Sequence, residues 1–155
     1  MKAKNWLLTF LLLFLASALS YAASDLQLGT WKLNESKSKI GAGAPKNDTV
    51  IYEASGDNMK VTIEGTAPDG SKTRMEWTGK FDGKDYPSTG GPNEDMRSYK
   101  QVNDRTLEVV SKKDGKVVLT ARVVVSTDGK TRTVMIKGTG AQGKKFTSTA
   151  VYDKE

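Results

Sequence analysis

Apolar and polar residues alternate along most of the chain, and the alternation has a period of two. Met75, Trp77 and Phe81 share one parity, whereas Arg74 and Glu76 occupy the other. Successive side chains of a β-strand point to opposite faces, so this pattern predicts strands with one apolar and one wet face. No helical periodicity follows the first two dozen residues. The pattern therefore predicts an all-β domain.

Turn signals separate these alternating segments at intervals of about a dozen residues, which is the spacing of antiparallel barrels and sandwiches. The strongest are the Asp-Gly pairs at 69–70, 82–83, 114–115 and 128–129, because tight hairpin turns need a positive φ. They predict an antiparallel up-and-down (meander) barrel of about 8–10 strands, which leaves few free edges. A two-sheet sandwich is the alternative. The predicted strands are 28–34, 48–55, 58–66, 72–81, 96–102, 105–112, 116–126, 131–138 and 144–152.

Two polar, glycine-rich segments, 34–48 and 84–95, interrupt the hairpin rhythm and are predicted to be loops. Long loops in a small domain form lids or binding-site mouths, or else serve as plain connectors. Residues 117–125 form the most apolar predicted strand. Its odd-numbered side chains, from Val117 onward, are expected to face the interior, and Val118 and Val124 add an apolar outer surface that could contact a partner.

The first residues have the three parts of a secretory signal peptide. Lys2 and Lys4 supply positive charge, residues 6–16 are almost entirely apolar, and small residues follow. We place cleavage after Ala22, so residues 1–22 are the signal peptide and residues 23–155 the mature domain. An uncleaved anchor is the alternative, although a spanning helix needs about 20 apolar residues. The prediction is a periplasmic or secreted protein with no stable membrane anchor after cleavage.

Composition limits the chemistry. The chain has no histidine and no cysteine, which excludes Ser-His-Asp and Cys-His catalysis, ordinary zinc and copper sites, and disulfides. No paired-acid or Ser–Lys pattern replaces them, so the expectation is a non-enzyme with no cofactor and no metal. The net charge of +6 falls to +4 when Lys2 and Lys4 leave, and the basic residues lack the interleaved aromatics of a nucleic-acid surface.

Both ends of the mature domain resemble known families. Gly-x-Trp, at 29–31, resembles the lipocalin signature, and Gly-Thr-Trp-Lys-Leu, at 29–33, resembles the opening of the fatty-acid-binding proteins. Val-Tyr-Asp-Lys, at 151–154, is similar to the Val-Tyr-Glu-Lys ending of the second family. The resemblance implies a calycin-type barrel that carries an apolar ligand inside.

The sequence also departs from both families. In the fatty-acid-binding proteins an arginine two residues before the last-strand tyrosine binds the ligand carboxylate. Here Tyr152 matches that tyrosine, but Ala150 occupies the arginine position. Lipocalins lay a basic residue across the signature tryptophan, and Lys144, Lys145 or Arg132 could do so. A fatty-acid ligand is therefore not implied.

The candidate ligand-binding residues follow from parity and from the resemblance. Met75 and Trp77 could line a cavity near the barrel mouth, or fill the core. If one parity of the strand at 96–102 faces inward, Arg97 and Tyr99 are polar anchors for a ligand head group, together with Tyr152. The alternative is a solvent-facing tyrosine beside charges, because buried arginine is rare unless paired.

Two functions fit these observations best. The first is an exported carrier of a small apolar or amphipathic molecule. The second is a non-catalytic envelope module with a filled barrel, which contacts itself as a homo-oligomer or contacts an envelope protein.

Overall fold

The structure is a computed structural model that describes residues 25–140 and 142–155, so the predicted signal peptide lies outside the described residues. The described chain forms antiparallel strands joined by short turns, with a single 3₁₀ turn, Glu35–Lys37, after the first strand. The strands are β1 Gly29–Leu33, β2 Lys46–Ser55, β3 Asn58–Thr66, β4 Lys72–Gly79, β5 Tyr86–Thr89, β6 Met96–Asn103, β7 Thr106–Lys113, β8 Lys116–Val125, β9 Thr131–Thr139 and β10 Lys145–Lys154.

These ten strands form a closed barrel in which each strand pairs with its neighbours in sequence. β1 closes the barrel, since Trp31 is the cross-strand partner of Val50 on β2 and of Lys154 on β10. The predicted meander barrel is confirmed, and the sandwich alternative is wrong. Closure pairs the strand edges that an open sheet would expose.

The two ends of the barrel differ. At the lower end, residues 25–28 lie beside the β8–β9 turn, and Leu26 approaches Gly129. There the indole nitrogen Nε1 of Trp31 donates to the carbonyl of Gln27 over 2.9 Å. The upper end carries the β1–β2, β3–β4, β5–β6, β7–β8 and β9–β10 connections.

The β1–β2 connection is attached to β10. Lys39 pairs with Thr149 across an isolated bridge, and the backbone amide of Gly41 donates to Ser148 Oγ over 2.9 Å. Ile40 packs against the core. The connection therefore borders the upper end of the barrel, and its one helical element is the 3₁₀ turn Glu35–Lys37.

One strand, β5, was missed by the sequence analysis, which predicted a loop across 84–95. The strand is only four residues long and includes Pro87, and its pairing is short. It is joined to β4 through Glu76–Thr89 and Trp77–Ser88, and to β6 through Tyr86–Arg97 and Pro87–Met96. So short a segment carries too little alternation for its period to be visible.

The expectation that Val117 faces inward is wrong, since its side chain is 57% exposed. A β-bulge between Ser111 and Lys112 in the β7–β8 ladder shifts the register, so that Ser111 pairs with Leu119 but Lys112 pairs with Val117. A bulge inserts one extra residue and reverses the parity beyond it. Val123 and Val125, on the other side of the bulge, are buried as expected.

Among the residues that the structure describes, no helix is long and apolar enough to cross a membrane.

Candidate functional site

Aromatic rings fill the β2–β6 side of the barrel interior. The Trp77 and Tyr99 ring centroids lie 4.6 Å apart, and Phe81 lies 5.6 Å from Tyr99. Tyr52 meets Tyr99 edge to face at 6.2 Å, and Tyr86 meets Trp77 in the same way at 5.8 Å. Edge-to-face and offset rings attract one another beyond the area that they bury. This half of the barrel is a packed aromatic core.

The opposite side of the interior is lined by aliphatic side chains that keep some access to solvent. Leu119, Ala121 and Ile136 lie at inward positions on β8 and β9, and each is only half-buried. Their inward orientation follows from the register, because Ala121 is the partner of the buried Val109 and Ile136 is the partner of the buried Ser148. The accessible surface therefore belongs to the barrel interior near its upper end.

Arg97 and Glu94 form a buried ion pair next to β5. Arg97 and Glu94 are 10% and 9% exposed, and Arg97 Nη2 lies 2.7 Å from Glu94 Oε2. Arg97 Nε donates to Glu94 Oε1 over 3.0 Å, while Nη1 donates to the Tyr99 hydroxyl over 3.1 Å. Ser88 Oγ, from β5, donates to the same Glu94 oxygen over 2.6 Å. Two-point contact between guanidinium and carboxylate is the strong geometry for such a pair.

Opposing effects set the pKa of Glu94. Burial favours the neutral carboxylic acid, but the Arg97 charge and the hydrogen bonds from Arg97 and Ser88 favour the carboxylate. The balance lowers the pKa of Glu94 below its ordinary value. Burial also raises the pKa of the Tyr99 phenol. At neutral pH the cluster therefore holds one guanidinium, one carboxylate and one neutral phenol.

The sequence-predicted residues Met75, Trp77, Arg97 and Tyr99 come together at this place. All are at least nine-tenths buried, and the indole nitrogen of Trp77 donates to the Arg97 carbonyl over 2.8 Å. The solvent-facing alternative for Tyr99 is wrong. Sequence analysis missed Glu94, whose only signal was a position three residues before Arg97.

Tyr152, the remaining predicted residue, belongs to a second cluster, on the lower side. Its hydroxyl donates to the Asn47 carbonyl over 3.1 Å, and its ring centroid lies 4.8 Å from the Arg132 guanidinium carbon. The same guanidinium lies 5.1 Å from the ring centroid of Trp31 and 5.0 Å from that of Tyr52. Of the three basic residues considered, Arg132 is thus the one that covers the tryptophan.

Among residues 25–140 and 142–155, no group of three or more acidic, histidine or cysteine side chains is placed so that it could hold a metal ion. Two open depressions mark the surface. One, of about 420 Å³, lies among charged residues of β2–β4. The other, of about 660 Å³, crosses the β7–β10 strands and is lined both by outward residues, such as Met135 and Lys137, and by the inward Ala121 and Ile136.

Comparisons with known proteins show the fold. No family model matches the chain, and no curated protein matches it in sequence. The structure is similar to a Schistosoma mansoni fatty acid binding protein in complex with arachidonic acid, with 19% identity and a TM-score of 0.53, over 86% of this chain and 98% of that one. It is similar to EF1p2_mFAP2b bound to DFHBI, with 11% identity and a TM-score of 0.53, over the same 86% and 98%. The chain has the fold of the calycin-type barrels.

Proposed function

We propose that this protein is an exported, non-catalytic binding protein that carries a small apolar or amphipathic molecule inside its barrel. The observation that carries the proposal is the unequal interior. Aromatic rings fill one side, whereas the inward Leu119, Ala121 and Ile136 on the other side keep accessible apolar surface. Binding sites for small molecules are concave, mostly apolar and furnished with a few polar groups. Closed barrels of this size can hold one such ligand.

The two structural neighbours support this proposal, because each holds a small molecule: arachidonic acid in one and DFHBI in the other. Export rests on the sequence of residues 1–22. The absence of histidine and cysteine supports a non-catalytic role.

Binding is tested on the mature domain, residues 23–155, with Nile red as an apolar fluorescent probe and with native mass spectrometry after gentle purification. Ala121→Trp fills the accessible side of the interior. Thr78→Trp places the same side chain at an exposed position of β4 that lines neither depression, and it is the control. We expect wild type and Thr78→Trp to bind the probe and Ala121→Trp to bind at least about tenfold more weakly, a difference of about 1.4 kcal/mol. Equal binding by both variants would contradict an interior site.

Export is tested separately. The full chain is produced in a bacterial host, and the mature protein is recovered from the periplasm or medium and sequenced from its N-terminus. A chain that begins at Ala23 supports the predicted cleavage, whereas a membrane-retained chain with intact Lys2 and Lys4 supports the anchor alternative.

A second candidate function is self-association through the outer face of the barrel. Met135, at an outward position of β9 on the rim of the depression of about 660 Å³, is a large apolar residue that is 45% exposed. Sedimentation of the wild type and of Met135→Glu over a concentration series tests it. A wild-type dimer that Met135→Glu dissociates would favour this function over a monomeric carrier.

A further inference from the structure

The segment 86–95, here named the β5 flap, brings two chemical groups into the interior. Tyr86 places its ring against Trp77, with centroids 5.8 Å apart. Glu94 places its carboxylate on Arg97 through two charge-assisted hydrogen bonds. An aromatic ring and a carboxylate therefore reach the predicted ligand-binding residues from one short piece of chain.

The receiving groups come from β4 and β6. Trp77 offers an aromatic ring, Arg97 offers a planar pair of N–H donors, and the Tyr99 hydroxyl accepts from the third guanidinium nitrogen. Arg97 and Tyr99 remain on β6 whether or not the flap is in place. Without the flap, they would form a pocket with one cation and aromatic walls.

The flap strand β5 makes fewer cross-strand pairs with its neighbours than any other strand of the barrel. β5 meets β4 and β6 through two cross-strand pairs on each side, whereas β9 and β10 pair continuously from Lys145–Thr139 to Asp153–Thr131. Short ladders with few buried groups have the lowest local opening free energies. Glu94 is the flap's buried ionic attachment to β6. At the end of the flap, the Asp95 backbone amide donates to the Lys112 carbonyl and its carboxylate accepts from the Asp114 amide, so opening also releases this contact with β7 and the turn after it.

We propose that the β5 flap is an internal stand-in for the ligand, and that the pocket behind it binds a flat aromatic ring bearing a carboxylate when the flap opens. The incoming ring replaces Tyr86 against Trp77, and its carboxylate replaces Glu94 on Arg97. This inference goes beyond the proposed function, because it adds a second site behind the flap, in the half of the barrel opposite Ala121 and Ile136, and names the ligand class of that site. It places the anion-binding group on β6, away from the Tyr152 end of the barrel.

The probe is 2-naphthoate, with its neutral analogue 2-naphthamide and the non-aromatic carboxylate octanoate as comparisons, and binding is measured by calorimetry. Glu94→Gln keeps the size of the side chain that lies against Arg97 but removes its charge. We expect this variant to bind 2-naphthoate about tenfold more tightly than wild type, with 2-naphthamide changed by less than about threefold. Glu94→Gln with Arg97→Gln removes both charges, and it should lose the preference for the carboxylate.

A reversible lock tests the flap itself. Glu76 and Thr89 are cross-strand partners on β4 and β5, and the chain has no native cysteine. Cross-strand Cα spacings suit a disulfide. We expect Glu76→Cys with Thr89→Cys to bind 2-naphthoate when reduced and to lose at least about tenfold in affinity when oxidised. The control pair, Met135→Cys with Thr149→Cys across β9 and β10, should bind equally in both states.

The inference is overturned if the oxidised flap lock binds 2-naphthoate normally, if Glu94→Gln gains nothing, or if octanoate binds as tightly as 2-naphthoate. In those cases Nile red binding distinguishes a failure of the aromatic carboxylate site from a failure of the proposed carrier function. Nile red binding to wild type keeps the proposed carrier function and removes only the aromatic carboxylate site, whereas no binding of any probe removes both. Melting curves of each variant confirm folding, and the lock remains decisive if Glu94→Gln does not fold.

Discussion

The guanidinium of Arg132 lies over the ring of Trp31, with 5.1 Å between its central carbon and the ring centroid. Arg132 is 2% exposed, and its Nε and Nη1 have no hydrogen-bond partner among the described residues. Its charge is instead surrounded by the π faces of Trp31, Tyr52 and Tyr152. Cation–π attraction strengthens where water is excluded, so this stack holds β1, β2, β9 and β10 together at the barrel seam.

Arg132→Lys is expected to destabilise the domain more than Arg132→Met does. Lysine keeps the charge but loses the planar surface, and its ammonium is more strongly hydrated and harder to bury. Methionine keeps an apolar stem that fills the same space. We expect Lys to cost about 2 kcal/mol or more and Met to cost less, measured by urea unfolding. A lysine variant as stable as wild type would show that the stack contributes little.

Acid should weaken the wild type more than a variant without the Glu94 carboxylate. The folded-state pKa of Glu94 is lowered, so its stabilisation is present above the ordinary glutamate pKa and is lost as pH falls through the folded value. We expect the free energy of unfolding of wild type to decline below about pH 4.5 more steeply than that of Glu94→Gln. Urea unfolding from pH 6 to pH 3 checks this, and parallel curves would contradict it.

Alkali should act through Tyr152. Burial raises its pKa to about 12 although Arg132 opposes the shift, and a raised folded-state pKa gives stability that is present below the ordinary value of about 10 and lost as pH rises toward 12. We expect wild type to lose more stability than Tyr152→Phe between pH 9.5 and pH 11.5. Both proteins carry the same lysines, so the effect of lysine ionisation cancels in the difference between their unfolding free energies. Equal losses would mean that Tyr152 ionises freely in the folded state.

Much of the barrel could be predicted because its long strands alternate cleanly. In β4, Met75 and Trp77 are buried and Arg74 is exposed, as the period of two requires. The prediction failed where a strand was too short, at β5, and where a bulge reversed parity, at Val117. A strand of four residues is too short to show a period, and the position of a bulge cannot be read from the alternation in a single sequence.

The candidate site was predictable only in part, for a related reason. Arg97 and Tyr99 were candidates by parity, but the carboxylate that neutralises Arg97 comes from a loop and follows no period. Arg132 was one of three candidates to cover Trp31, and only the three-dimensional register of β9 against β10, which pairs it with Tyr152, distinguishes it from Lys144 and Lys145.

Gly79 makes possible the contact between the flap and the aromatic core. A Cβ added at this position would lie 2.6 Å from Tyr86 Cγ and 2.7 Å from Trp77 Cζ2, so one of the two rings has to move. Gly79→Ala must therefore displace Tyr86, the smaller and less buried ring. We expect a loss of about 1–3 kcal/mol in unfolding free energy, together with faster amide exchange at residues 86–95.

Gly140→Ala is the matched control for that change, because the nearest atoms to its added Cβ lie 3.5 Å and 3.6 Å away, at ordinary contact distance. It should alter stability by less than about 0.5 kcal/mol and leave exchange in the flap unchanged. Gly79→Ala displaces the Tyr86 ring but leaves Glu94 and Arg97 unchanged. It therefore tests the contribution of the ring separately from that of the Glu94 carboxylate. If exchange at 86–95 stays at the wild-type rate in Gly79→Ala, then Tyr86 does not hold the flap, and the polar contacts of Glu94 and Asp95 and the short β5 ladder must do so.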